Sequence, residues 1–128
     1  MYATDLPAAE RFYSTVLDLE AFARVPGRHV FFRCGRGVLL VFNPHEPMRS
    51  GGETPPHGAE GPGHLAFAGP EDALPAWRER LARAGVAIEA EVLWPRGGRS
   101  LYVRDPAGNS VELASPAIWG IPEEEARL

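Results

Sequence analysis

His64 and Glu112 are the residues in this chain best suited to chemistry. An imidazole nitrogen and a carboxylate oxygen together suit Zn²⁺, Fe²⁺, Mn²⁺ or Ni²⁺. They equally suit a plain hydrogen bond in an exposed groove, which their separation in the chain alone favours. Two protein ligands bind weakly, so a metal would need further donors. Each residue lies in a run that reads as a strand, Gly63-His64-Leu65-Ala66-Phe67-Ala68 and Ser110-Val111-Glu112-Leu113-Ala114-Ser115. Alternate strand residues share a face. His64, Ala66 and Ala68 therefore oppose Leu65 and Phe67, and Ser110, Glu112 and Ala114 oppose Val111 and Leu113. A third strand over residues 100–104 adds Ser100, Tyr102 and Arg104 to the outer face. Small alanines beside polar side chains leave space for a ligand.

Trp94, Arg96 and Arg99 flank a glycine-rich turn at the expected mouth of that space. Arg99 is either a partner for an anionic substrate group or an exposed turn charge. Trp119 follows the last strand and is expected to pack as a lid over cleft or core. His29 opens a strand and is expected at the surface or an edge. His45 and His57 lie in a loop and are weak ligand candidates. Cys34 sits in a turn without a histidine partner and is not read as a nucleophile. Glu123-Glu124-Glu125 reads as a solvated terminal helix.

The elements that must position these groups occur twice. A strand end at Tyr2-Ala3-Thr4 precedes a helix capped by Asp5, with Ala9, Phe12, Tyr13, Val16 and Leu17 at helical spacing. Extended segments over 20–25, 29–33 and 37–43 follow. The order returns as a strand over 63–68, a helix over 72–84 and extended segments over 88–93, 100–104 and 110–115. Each half is thus strand–helix–strand–strand–strand, and such repeats decide a fold. Phe12 aligns with Trp77, Arg33 with Arg104 and Gly37 with Gly108. The counterpart of Glu112 is Leu39 or Leu40, and that of His64 falls just before Met1. We expect one domain: module one at 1–43, a linking loop at 44–62, module two at 63–115 and a tail at 116–128.

Composition narrows the function. The 128 residues are 45% hydrophobic with a net charge of −4, and no basic run predicts nucleic-acid binding. No apolar run approaches the roughly 20 residues of a membrane helix. The N-terminus has no signal-peptide pattern. The single cysteine excludes an internal disulfide and fits a reducing cytoplasm. The chain has no lysine, which excludes Schiff-base chemistry.

Three segments together carry a resemblance. They are the run from Thr4-Asp5-Leu6 through Phe12-Tyr13 to Leu17-Asp18-Leu19, Gly63-His64-Leu65-Ala66-Phe67, and Asp105-Pro106-Ala107-Gly108-Asn109-Ser110-Val111-Glu112-Leu113. In order and spacing they resemble the glyoxalase/bleomycin-resistance/dioxygenase (vicinal oxygen chelate) superfamily. The resemblance implies an α+β fold of two βαβββ modules forming an open curved, barrel-like mixed sheet, here with its first strand truncated. It implies that His64 and Glu112 are metal ligands, with Glu112 and Tyr102 catalytic and Arg99, Tyr102, Trp94 and Trp119 binding substrate. It further implies a homodimer, and a divalent-metal enzyme of lyase, isomerase or dioxygenase type acting on a small oxygen-rich metabolite. A metal-free drug-binding protein of the bleomycin-resistance type is the other expectation. A start site placed too late, which would cost the chain a ligand, is a third.

Overall fold

The structure is a computed structural model that describes residues 1–46 and 54–126. The chain divides into two compact units. One comprises Met1–Gly63 with the turn Asp105–Asn109, and the other His64–Arg104 with the chain from Ser110 onward.

In the first unit, Asp5 caps helix α1 (Leu6–Arg11) by accepting the Ala8 N–H at 2.9 Å, and Pro7 sits where no N–H is needed. The helix continues as a π-helical turn, Phe12–Val16, which leaves Phe12, Tyr13 and Val16 all buried. Asp18, with φ of 61°, ends it, as aspartate tolerates the left-handed region. Strands β1 (Glu20–Val25), β2 (His29–Cys34) and β3 (Gly37–Phe42) form an antiparallel sheet in that order. Val30, Phe32, Leu39 and Val41 are buried on one face with the helix side chains, as strand alternation requires. A single parallel bridge, Tyr2 to Phe42, is what stands for the first strand.

The second unit repeats this plan with a full first strand. Strand β4 (His64–Ala68) leads through a 3₁₀ turn (Glu71–Ala73) into helix α2 (Leu74–Arg83). Strands β5 (Ala90–Leu93), β6 (Arg99–Arg104) and β7 (Ser110–Ala114) follow, and the sheet order is β4-β7-β6-β5. Its core holds Leu74, Leu81, Leu101, Val103, Val111 and Leu113. A 3₁₀ turn (Pro116–Trp119) and helix α3 (Glu123–Ala126) complete it.

Matching hydrogen bonds set the register between the repeats. Ala3 N–H donates to Phe42 O at 2.9 Å, as Gly69 N–H donates to Ala114 O at 3.0 Å. Phe42 therefore corresponds to Ala114. Two residues back, Leu40 takes the place of Glu112, which settles the choice between Leu39 and Leu40. Leu40 pairs with Phe31 as Glu112 pairs with Tyr102.

Candidate functional site

Glu112 stands at the centre of a small polar network in the second unit. On β7 it lies directly opposite Ala66 of β4 on one side and Tyr102 of β6 on the other. The alanine leaves room, so the longer His64 side chain leans in from the diagonal position, a reach that sheet geometry allows. His64 Nε2 meets Glu112 Oε2 at 3.1 Å. Glu112 is almost wholly buried while the His64 side chain is 53% exposed, so the imidazole presents the pair to solvent.

A buried carboxylate must have its lone pairs met. Ser100, the other diagonal neighbour, donates its Oγ–H to Glu112 Oε1 at 2.6 Å and is itself fully buried. Tyr102 faces the same carboxylate as its direct partner across the strands. Its ring lies in a stacked arrangement with His64, 6.3 Å between centroids. Burial first, then the nearby Glu112 carboxylate, raises the Tyr102 pKa above its ordinary value of 10.0. Tyr102 therefore stays a hydrogen-bond donor at neutral pH.

The remaining expected site residues divide. Trp94 joins the network, since its indole N–H donates to Ser100 Oγ at 2.9 Å. That donor is engaged within the protein. Arg99 does not join: it alternates onto the face of Leu101 and Val103, opposite Glu112, and its Nε lies 3.4 Å from Glu71 Oε1. Trp119 ends a 3₁₀ turn and is half exposed. Ser100 was legible as a neighbour by strand parity. Its pairing with Trp94 was not, because Trp94 lies beyond the end of β5.

The corresponding face of the first unit is built from rings. His29 stacks on Phe31 at 4.0 Å, and Phe31 meets Phe42 edge-on at 5.3 Å. His29, expected at the surface, is half-buried in this cluster because the sheet pairs it with Phe42. His57 packs edge-on against Phe42 at 4.6 Å, and its Nδ1 lies 2.8 Å from the Tyr2 hydroxyl. The His45 backbone N–H donates to Asn43 Oδ1, and the ring is exposed. Among the described residues, no group of three His, Cys, Asp or Glu side chains gathers into a metal site. His64 and Glu112 have donor chemistry that suits a divalent cation and could supply two of its ligands. Among the described residues no helix is long and apolar enough to cross a membrane.

Two βαβββ units, the second with a His–Glu pair on its outer face, define a class. The family model for the glyoxalase/bleomycin resistance protein/dioxygenase superfamily matches residues 1–113, and the chain belongs to that superfamily. The crystal structure of lactoylglutathione lyase from Agrobacterium tumefaciens is similar at 44% identity, with a TM-score of 0.90 over 94% of this chain and 92% of that one. TioX from Micromonospora sp. ML1 shares the fold at 22% identity and a TM-score of 0.72, covering 90% of this chain and 93% of that one. The fosfomycin resistance protein FosX from Mesorhizobium loti shares it at 22% identity and 0.62, covering 97% and 90%. No curated protein matches the chain.

Proposed function

We propose that this protein is a divalent-metal-dependent enzyme of the glyoxalase type, a lyase or isomerase acting on a small oxygen-rich metabolite. The observation that carries this is the 3.1 Å approach of His64 Nε2 to a Glu112 carboxylate braced by Ser100. Similarity to a lactoylglutathione lyase supports the reaction class and makes lactoylglutathione the first compound to test. His64 and Glu112 would hold the cation, with the other positions left to water, substrate or a second copy of the chain. Such a cation supplies Lewis acidity toward paired substrate oxygens. The chain's own groups do the rest. Ser100 fixes Glu112, and the Tyr102 hydroxyl is available to orient a substrate oxygen. A homodimer fits this reading, because β4 and β5 leave open edges on the second sheet.

Elemental analysis of metal-replete protein, with His64→Ala as control, tests the proposal alongside turnover of lactoylglutathione. Near-stoichiometric metal lost in His64→Ala is expected. The incomplete donor set favours one other reading, a metal-free small-molecule or drug-binding protein. Absence of metal from replete wild-type protein would establish that alternative over the enzyme.

A further inference from the structure

The turn between β5 and β6 is tied to the His–Glu pair by a chain of side-chain hydrogen bonds that strand pairing does not require. Gly98 has φ of 87°, and a Cβ there would meet Ile118 Cγ2 at 2.6 Å and Ser115 Oγ at 2.7 Å. Only glycine allows the turn to press so closely on the 3₁₀ segment. Arg99 N–H donates to Ser115 Oγ at 2.8 Å, and Trp94 N–H to Gly98 O at 3.1 Å. The backbone on both sides of the turn is thereby held.

This anchoring gives the Trp94 indole one direction. Indole is a donor only, and it donates to Ser100 Oγ at 2.9 Å. A hydroxyl that accepts there keeps its own proton to give away, and Ser100 gives it to Glu112 Oε1 at 2.6 Å. That length is typical of a charge-assisted O–H···O⁻ bond, and successive bonds polarise one another. One carboxylate oxygen is occupied and the other, Oε2, faces His64.

We infer that Ser100, held by Trp94, is a positioning residue that reserves Glu112 Oε1 and presents Oε2 alone beside His64. Glu112 is then a one-oxygen donor to a divalent cation. This rests on the metal reading above. Outer hydrogen-bond partners of metal ligands contribute about 10- to 100-fold in affinity.

Two measurements test it. The first needs no metal: the indole N–H signals of the three tryptophans are followed by ¹⁵N NMR in the apo protein. Ser100→Ala and Glu112→Gln should each move the Trp94 signal and speed its solvent exchange, leaving Trp77 and Trp119 in place. A Trp94 signal unmoved by Ser100→Ala overturns the relay. The second is Zn²⁺ titration of wild type, Ser100→Ala, Trp94→Phe and the double variant. Ser100→Ala should weaken Zn²⁺ binding about 10-fold. Trp94→Phe should weaken it less, and should add nothing in the Ser100→Ala background, because both act through one hydroxyl. Unchanged affinity in Ser100→Ala, or equal losses from Trp94→Phe in both backgrounds, overturns the inference while leaving the metal reading intact. A wild type that takes up no Zn²⁺ overturns the metal reading and the donor role of Oε2 with it.

Discussion

Asn109 Oδ1 accepts the backbone N–H of Gly63 at 2.7 Å, one residue before His64. The next residue after Asn109 is Ser110, which pairs with His64 in the parallel β4–β7 ladder. The same amide donates through Nδ2 to Tyr2 O at 3.0 Å and to Asp105 Oδ2 at 2.9 Å. One side chain thus fixes the chain just ahead of both strands that carry the candidate ligands.

Asn109→Asp is the sharper test of that anchor. It keeps the acceptor for Gly63 but turns an oxygen toward two other oxygens. We expect a loss of about 2 kcal/mol or more in urea unfolding, at least as large as that of Asn109→Ala. A neutral Asn109→Asp would show that the anchor contributes little.

Tyr13 is fully buried and donates to Asp105 Oδ2 at 2.8 Å. Burial, then the Asp105 charge and hydrogen bond, raise its pKa far above the ordinary 10.0. The folded state therefore holds a proton that the unfolded chain releases. Stability from this group is complete below pH 10 and declines as pH rises beyond it. Tyr13→Phe should lose about 1–2 kcal/mol at neutral pH and flatten the alkaline decline. Urea unfolding at neutral pH and at about pH 11 checks both.

Gly98→Ala meets both a strained φ and a 2.6 Å clash. Neighbouring Gly97, with φ of 103°, has open space around its would-be Cβ. Gly98→Ala should therefore lose about 3 kcal/mol or more, and Gly97→Ala about 1–2 kcal/mol. Equal denaturation midpoints would refute the close approach of the turn.

His29 has its pKa lowered from 6.5 by burial first and by the Arg28 charge second. Arg28 donates to His29 Nδ1 at 2.8 Å. The stability this provides is present above pH 6.5 and is lost as pH falls through the depressed value. In an NMR titration, Arg28→Ala should shift the midpoint upward while leaving it below 6.5, because burial remains. A wild-type midpoint at or above 6.5 contradicts the half-buried ring cluster.

Much of this protein was legible in its chain because the relevant rules are local. Alternation assigns Val30 and Phe32 to the core, and His64, Glu112, Ser100 and Tyr102 to the outer face. The repeated element order exposed the two βαβββ units and the aliphatic counterpart of Glu112. Parity also places Arg99 with Leu101 and Val103, on the face opposite the pair. What the tertiary structure alone decided is non-local. Alternation says which face a residue takes but not how far one parallel strand slides along another. That offset makes His64 diagonal to Glu112 across Ala66, a pairing of segments distant in sequence. The link from Trp94 to Ser100 likewise depends on Gly98 pressing against Ile118, a contact that no periodicity encodes.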